Sequence, residues 1–410
     1  TTPTIDRLAA EGIVFERFHA ASPWTGASFG SILTGVSPTV HGAGRREKEG
    51  SKTARSILGV TITPMSERVP TVAELLGEIN SAAIVTNSFL IESMGFARGF
   101  DHYDQQFAGL IKSRPADETT KAAIAWLEKN QQQPFFLMVH YFDPHMSYKP
   151  PKEYLERFAP GAGRVSGPFY DHRRARAGKL DLKQNEKEQI RRVYNGEVRF
   201  VDDQIGELVA ALERLGVLDD TWLMITADHG EEQFDHGSFD HGHRYEEEVT
   251  RVPLVIRPPD GKWHAGTRVP YSTRHIDLAP TILDWMGRDP APSMAGQSLM
   301  GLITGDETAH RPAYVEFNIY WTQRCALYDG RYKLIRATDS NNGWLYDLEA
   351  DPLEQNKLDR AHPQYAALEK QLDAVRKQLE QLAADARKDT KTIELSPEVV
   401  ESLRSLGYID

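Results

Sequence analysis

Short apolar runs that alternate with helical stretches constrain the fold of this chain more than any other feature. Runs typical of strands lie at 12–19, 81–86, 135–139, 221–226 and 252–256, and stretches with helical periodicity lie at 4–11, 28–33, 69–78, 118–130, 182–215 and 275–286. Strands that alternate with helices at this spacing predict an α/β fold with a mostly parallel sheet. The runs at 81–86 and 221–226 are apolar enough to predict buried strands.

The pattern changes beyond residue 305. Short strands are predicted at 313–317, 323–328, 332–335 and 344–347, separated by turn residues, and a charged amphipathic helix is predicted at 363–388. Short strands in close succession favour a small antiparallel sheet. We therefore divide the chain into a main domain over 1–304 and a C-terminal α+β subdomain over 305–410.

Composition excludes several classes of function. The chain has 48 basic and 59 acidic residues, for a formal net charge of −11, so we expect no nucleic-acid partner. No apolar run approaches the ~18 residues of a membrane-spanning helix. Cys325 is the single cysteine, which leaves no intrachain disulfide and no thiolate metal cluster. The oligomeric state stays open.

Side chains that could bind a metal or take part in catalysis are most concentrated in the segment 226–243, at the end of the predicted strand at 221–226. It contains Asp228 and His229, followed by His236, His241 and His243. Ligands of open α/β sheets bind at the carboxyl ends of strands. An adjacent aspartate and histidine supply one oxygen and one nitrogen ligand, a set that suits Zn²⁺ or Mn²⁺ better than Ca²⁺ or Mg²⁺. The alternative is a polar surface loop rich in histidine.

Two other segments add candidates. His140 and His145 follow the strand at 135–139, and Pro144 fixes the backbone just before His145, which favours a side chain aimed into a cleft. A histidine at a strand end, such as His140, is commonly structural. Thr25 and Ser28 lie at the start of a short helix, where backbone N–H groups and the helix dipole favour an anion. Taken alone, both are typical helix caps.

These segments occur in the order and spacing of the sulfatase family of the alkaline phosphatase superfamily, which the chain therefore resembles. Further segments are similar to that family's, at 3–12, 194–202, 245–254, 277–281, 345–352 and 406–408. The resemblance implies an alkaline-phosphatase-like three-layer αβα sandwich for 1–304. It places the nucleophile on Thr25, the metal on Asp228, His229 and Thr25, and oxyanion binding or acid catalysis on His145 and His241. Asn87, His140 and His243 are candidate substrate-binding residues.

The nucleophile region departs from the family pattern. Sulfatases oxidise a Cys or Ser in a Cys/Ser-x-Pro-x-Arg motif to formylglycine, whereas this chain has Thr25 at the first position and Phe29 at the last. It resembles the threonine branch, which includes phosphoglycerol and phosphoethanolamine transferases. Water can cleave a Thr–O–P ester at phosphorus, but a Thr–O–S ester resists attack at sulfur. Thr25 therefore favours metal-dependent hydrolysis of phosphate monoesters or diesters through a covalent intermediate.

Other functions stay open at this stage. They are a sulfatase acting on sulfuric esters, a transferase of phospho-headgroups from lipid to glycan, and an inactive binding homologue. The substrate is expected to be a small-molecule, glycan or lipid ester, selected by loops at 45–63 and 160–179. The family's first strand carries an acidic metal ligand and has no counterpart here, so we expect a trimmed N-terminus. The family favours a periplasmic or secreted location.

Overall fold

The structure is a computed structural model. It describes residues 1–44, 46–47, 55–57, 60–106, 114–165, 174, 178–259, 265–320, 323–340, 342–386 and 388. Most of the two predicted specificity loops, at 45–63 and 160–179, and the segment 406–408 lie outside the described residues. None of the described helices combines the length and the apolar character needed to cross a membrane.

The first part of the chain alternates helices and strands, as predicted. Its helices are α1 (Pro3–Glu11), α2 (Thr25–Thr34), α3 (Pro38–His41), α4 (Val72–Leu76), α5 (Ala116–Asn130), α6 (Lys152–Phe158), α7 (Gln184–Arg214), α8 (Glu247–Thr250), α9 (Leu278–Trp285) and α10 (Met300–Thr304). Its strands are β1 (Ile13–His19), β2 (Arg46–Glu47), β3 (Arg55–Ile57), β4 (Val60–Ile62), β5 (Asn80–Ile84), β6 (His102–Asp104), β7 (Phe135–Val139), β8 (Leu223–Thr226), β9 (Glu232–Gln233), β10 (Phe239–Asp240), β11 (Arg251–Arg257) and β12 (Thr267–Arg274).

Two sheets form the centre of this part. One has the order β12-β1-β11-β8 and the other the order β6-β5-β7. Strand β5 pairs in parallel with both its neighbours, and β1 pairs in parallel with β12, whereas β11 pairs antiparallel with β1 and β8. Three of these five pairings are parallel, which agrees with the predicted mostly parallel α/β fold.

Strand β5 shows why helices cover both faces. Successive side chains of a strand point to opposite faces. Ala82 and Ile84 pack with apolar residues of α1, α5 and α7, whereas Ala83 pairs with the opposite cluster, built from α2, α4 and α9. The apolar residues of β5 therefore pack against helices on both faces of the sheet, which gives a three-layer αβα arrangement.

Several element boundaries differ from the prediction. The helix predicted at 69–78 shrinks to α4 because Thr71 and Glu74 form a capping box at its start and Gly77, at φ 64°, ends it. The strand predicted as buried at 221–226 becomes β8, which is half-buried and, among the described strands, pairs with β11 alone. Strand β12 and the β9–β10 hairpin were not predicted, since their sequences mix polar, charged and glycine residues.

Helix α2 begins at Thr25, earlier than the predicted residue 28, and every one of its residues is buried. Close packing against His41 requires Gly30, because a Cβ at that position would lie 2.3 Å from Cε1 of His41. Nε2 of His41 lies 3.1 Å from the Ser31 hydroxyl. These contacts hold the helix whose first residue is the predicted nucleophile.

The C-terminal part has the predicted antiparallel sheet and long helix. Strands β13 (Ala313–Glu316), β14 (Arg324–Tyr328), β15 (Tyr332–Ala337) and β16 (Gly343–Asp347) pair in sequence order, and helix α11 spans Pro363–Ala386. Leu379 and Ala386 of α11 pack against Val36 and Val40 beside α2 and α3. The carboxylate of Glu316 accepts hydrogen bonds from the backbone N–H and hydroxyl of Thr39, at 2.6 and 2.7 Å. The C-terminal part therefore packs against α3 and the turn that joins it to α2.

Candidate active site

The hydroxyl of Thr25 meets side chains from two other segments at the strand ends. Thr25 is 2% exposed, and its Oγ1 lies 3.4 Å from Nδ2 of Asn87 and 3.4 Å from Nε2 of His229. Oδ1 of Asn87 accepts a hydrogen bond from the Phe89 backbone at 2.8 Å, which turns the amide N–H₂ toward Thr25. Asn87, predicted as a substrate ligand, is thus a neighbour of the nucleophile candidate.

Asp228 and His229 follow β8 and face Thr25. Nδ1 of His229 donates to the carbonyl of Gly230 at 2.8 Å, so in the neutral ring Nε2 carries the lone pair. Nε2 lies 3.5 Å from Oδ2 of Asp228. Burial opposes the charge on Asp228, but His229 and the hydrogen bond from Thr25 outweigh it, so the pKa of Asp228 is lowered. The predicted trio of Thr25, Asp228 and His229 is therefore brought together.

His275 joins the two segments and was missed by the sequence reasoning. Its Nδ1 accepts the backbone N–H of Ala21 at 3.2 Å, and its Nε2 donates to the carbonyl of Ala227 at 3.0 Å. Burial lowers the pKa of His275 to about 4, which keeps the ring neutral so that one nitrogen accepts while the other donates. The only signal in the sequence was its position directly before the segment 277–281.

The histidines of the 140–148 segment occupy different environments. Nδ1 of His140 lies 2.8 Å from the Thr86 hydroxyl, and the ring meets the edge of Phe29. Burial lowers the pKa of His140 to about 4, and Asp228 acts on it electrostatically. The structure thus places His140 beside the site, with one ring nitrogen held by Thr86.

His145 lies deeper in the site. Its Nδ1 donates to the Met146 carbonyl at 2.5 Å, and its ring stacks on Phe142 and meets His241 edge-on at 4.9 Å between centroids. Burial lowers the pKa of His145 to about 4. Because Nδ1 carries the proton, the neutral ring presents a lone pair at Nε2. This geometry favours proton acceptance at Nε2 of His145 over the acid role that the sequence also allowed.

His241 is held by two carboxylates. Its ring stacks on His229 at 4.2 Å, and its Nδ1 lies 2.9 Å from Oε1 of Glu231 and 3.1 Å from Oδ1 of Asp240. Glu231 precedes β9 and Asp240 ends β10, so the hairpin brings them together. Neither acid was singled out from the sequence, because acidic residues are common in polar loops. The predicted position of His241 at the site is supported by this geometry.

His243 and His236 turn toward their own segment. Nε2 of His243 lies 2.5 Å from the Ser238 hydroxyl, and Nδ1 lies 2.9 Å from the His241 carbonyl. Nδ1 of His236 bonds Glu248 at 2.6 Å, and this hydrogen bond raises the pKa of His236 to about 9. This geometry favours a role for His243 in shaping the segment over the substrate contact predicted for it.

The C-terminal part reaches the site at Gly242. The backbone N–H of Gly242 donates to the Pro23 carbonyl, and its carbonyl accepts from the backbones of Ile319 and Tyr320. Gly242 has φ 78°, and a Cβ there would lie 2.6 Å from Ile319, so glycine is required. The loop before Thr25, the β9–β10 hairpin and the segment after β13 are thereby joined.

A buried ion-pair network supports the end of the hairpin segment. Lys333 on β15 is fully buried, with Nζ 2.8 Å from Oε1 of Glu354 and 3.3 Å from Oε1 of Glu247. Glu354 also accepts the backbone N–H of Glu247 at 2.6 Å. Paired and hydrogen-bonded buried charges of this kind fix local geometry, and loss of one partner leaves an uncompensated charge. No local pattern in the sequence indicated this network.

The residues at Thr25 fit a divalent metal by their donor chemistry. A carboxylate of low pKa, an imidazole nitrogen with its lone pair turned inward, and a hydroxyl oxygen converge within 3.5 Å. Oxygen and nitrogen ligands of this kind suit Mn²⁺ or Zn²⁺. The hydrogen bond from His229 to Gly230 is the outer-shell contact that commonly fixes a metal-binding tautomer.

Comparison with family models identifies two matches. Residues 1–288 match the model described as Sulfatase, and residues 234–385 match the model described as N-sulphoglucosamine sulphohydrolase, C-terminal. The two matches overlap over residues 234–288, a range that includes Gly242, where the C-terminal part meets the site. Together they extend over nearly all the described residues.

Two curated relatives cover most of the chain. It is 25% identical to the multifunctional alkaline phosphatase superfamily protein PehA of Trinickia caryophylli, over 90% of this chain and 87% of that protein. It is also 25% identical to an N-acetylglucosamine-6-O-sulfatase of Bacteroides thetaiotaomicron, over 90% of this chain and 80% of that protein. The name of the second relative specifies a sulfatase activity, whereas the first relative is named for its superfamily.

Solved structures show the same fold. A protein in complex with its substrate D-glucosamine-2-N,6-O-disulfate has a TM-score of 0.74 at 24% identity, covering 95% of this chain and 94% of that chain. The phosphonate monoester hydrolase of Agrobacterium radiobacter has a TM-score of 0.70 at 22% identity, covering 94% and 91%. These likenesses confirm the predicted alkaline-phosphatase-like fold.

Proposed function

The chain belongs to the sulfatase family of the alkaline phosphatase superfamily, and from this premise we propose that it hydrolyses phosphate monoesters or diesters through Thr25. In coarse terms it is a hydrolase of sulfuric or phosphoric ester bonds. The observation that carries the finer proposal is a threonine hydroxyl at the nucleophile position, buried and held between Asn87, Asp228 and His229.

The phosphate proposal depends on the second half of the reaction. An enzyme that forms a covalent intermediate must also break it, and water can displace the Thr25 oxygen at phosphorus. Hydrolysis of a threonine sulfate ester at sulfur is far slower. Formylglycine avoids that step because its second hydroxyl expels the sulfate, and a threonine has no such group. Thr25 therefore favours phosphoryl transfer.

The first step is attack by Thr25. Oγ1 forms a bond to phosphorus as the bond to the leaving oxygen breaks, and the hydroxyl proton passes to the Asp228 carboxylate, which is ionised before the step and accepts the hydrogen bond from Thr25. Asn87 directs an N–H at Oγ1 and so orients its remaining lone pair. A divalent metal held by Asp228 and His229 would supply Lewis-acid stabilisation of phosphoryl oxygens and lower the pKa of the Thr25 hydroxyl.

His241 and His145 take part in different proton transfers. Glu231 and Asp240 accept the Nδ1 proton of His241 in hydrogen bonds, so the substrate would meet that ring from its Nε2 side, and the imidazolium form can donate its Nε2 proton to the leaving oxygen. His145 presents a lone pair at Nε2 and accepts a proton from the water that attacks phospho-Thr25. As the Oγ1–P bond breaks, Asp228 returns its proton to Oγ1, which releases phosphate and restores the threonine. Transfer of the proton from His145 to His241, whose rings are in contact, resets both histidines.

Sulfuric ester hydrolysis is the second candidate function. It is favoured by the sulfatase family model and by the N-acetylglucosamine-6-O-sulfatase to which the chain is 25% identical. On this alternative the substrate would be a sulfated glycan. The phosphonate monoester hydrolase has the same fold, so the fold is equally compatible with the first candidate, hydrolysis of an ester of phosphorus.

A paired substrate assay separates the two candidates. We expect kcat/KM for 4-nitrophenyl phosphate or bis(4-nitrophenyl) phosphate to exceed that for 4-nitrophenyl sulfate by at least about 100-fold, because only the phosphorus intermediate is readily hydrolysed. The assay uses protein loaded with Mn²⁺ or with Zn²⁺, and protein treated with a chelator is the blank. Turnover of the sulfate alone would contradict the proposal and establish the second candidate.

A further inference from the structure

A cluster of three buried side chains lies beside the pair Asp228–His229. Among the described residues, one group of histidine and acidic side chains brings its ligand atoms within 4.8 Å of one another, and it consists of Glu231, Asp240 and His241. Asp240 is fully buried, His241 is 1% exposed, and the side chain of Glu231 is 7% exposed. Two carboxylates and one imidazole therefore face the same point in a water-poor region.

The hairpin holds these ligands in fixed positions. Asp240 pairs with Glu232 in the β9–β10 ladder, directly beside Glu231. The backbone N–H groups of Gly230 and Glu231 donate to the carbonyls of Val249 and Glu248, at 2.8 and 3.0 Å. A metal site needs ligands that are positioned before the ion arrives, and backbone pairing on both sides of the cluster provides this.

The two carboxylates of the cluster favour a divalent cation. Both carboxylates converge on Nδ1 of His241, at 2.9 and 3.1 Å. A divalent ion at this point would set two positive charges against two carboxylates and take Nδ1 as its nitrogen ligand. The imidazole proton would then reside on Nε2, the side of the ring that faces the substrate in the proposed mechanism.

We propose that Glu231, Asp240 and His241 form a second divalent-metal site, distinct from the pair Asp228–His229. Two carboxylate oxygens and one imidazole nitrogen suit Mn²⁺ or Zn²⁺. The stacked rings of His229 and His241, 4.2 Å apart, place the two sites next to each other. The second site does not depend on whether the substrate is a phosphate or a sulfate, so it stands apart from the proposed function.

Metal counting on matched variants tests this proposal. Metal-free protein is dialysed against buffered Mn²⁺, and the bound ion is counted per chain by atomic spectroscopy. Asp240→Asn and Glu231→Gln each remove one anionic ligand with little change in size. Asp235→Asn is the control, because Asp235 belongs to the same segment but its side chain is 45% exposed. Circular dichroism and a thermal melt verify that each variant is folded.

We expect Asp240→Asn and Glu231→Gln to bind one Mn²⁺ fewer per chain, or to bind that ion at least about 100-fold more weakly, with Asp235→Asn unchanged. Asp228→Asn should keep one ion that the double variant Asp228→Asn/Asp240→Asn loses. If Asp240→Asn and Glu231→Gln retain the full metal count, Glu231 and Asp240 only orient His241 and the proposal is wrong. Loss of all metal in Asp228→Asn alone would likewise overturn it.

Discussion

Replacement of Thr25 by alanine is expected to lower kcat/KM for 4-nitrophenyl phosphate by at least ~10³-fold, because the covalent route loses its nucleophile. The protein should remain folded, since within the described part of the chain the lost hydroxyl has its hydrogen-bonding neighbours in the site itself, at Asn87, Asp228 and His229. Steady-state kinetics with saturating Mn²⁺ provides the measurement, and the fall should appear in kcat.

Two variants control for the Thr25 result. Thr25→Ser keeps an alcohol at the same point, primary where threonine's is secondary, and should retain a measurable part of the activity. Thr34→Ala removes a buried hydroxyl at the other end of α2, where Oγ1 donates to the Gly30 carbonyl at 2.6 Å, and should leave kcat unchanged. Wild-type turnover by Thr25→Ala would show that the reaction proceeds without this alcohol.

Asp228→Asn is the second variant with a large expected effect. It removes the charge that faces His229 and Thr25, so the metal beside Thr25 should bind more weakly and kcat/KM at limiting Mn²⁺ should fall at least about 100-fold. The free Mn²⁺ concentration that gives half-maximal activity should be higher for Asp228→Asn than for the wild type. Part of the loss should therefore be recovered at high Mn²⁺, unlike the loss in Thr25→Ala.

Asp235→Asn is the matched control for this variant. It changes the same residue type seven positions further along the same segment, where the carboxylate pairs with Arg191 near the surface. Its activity curve should coincide with that of the wild type. If the curves of Asp228→Asn and the wild type coincide as well, Asp228 is not a metal ligand.

The strands and helices that position the site could be predicted because each carries its own pattern. The apolar run of β7 and the long amphipathic α7 appear at nearly the predicted bounds. The half-buried state of β8 could not be predicted, since it depends on which strands become its neighbours. Asp228 and His229 could be selected as candidate site residues because they directly follow a strand, and ligands of open α/β sheets bind at the carboxyl ends of strands.

Residues that act through distant contacts were missed. His275 bridges Ala21 and Ala227, and Lys333 pairs with Glu247 and Glu354, over separations that no local pattern encodes. Asp240 and Glu231 were not selected because the segment contains several other acidic residues. Their positions beside His241 result from the pairing of the β9–β10 hairpin. His243 was predicted from its proximity in sequence to His241, but the hairpin turns it toward Ser238.

The most direct test of the central claim is to trap the intermediate. The protein is mixed with excess 4-nitrophenyl phosphate, quenched in acid within the first turnover, digested and analysed by mass spectrometry. We predict one phosphoryl group on the peptide that contains Thr25, located at Thr25 by fragmentation and absent from Thr25→Ala. Release of nitrophenol in the first turnover without a phosphoryl group on Thr25, or with the group on another residue, would contradict the account.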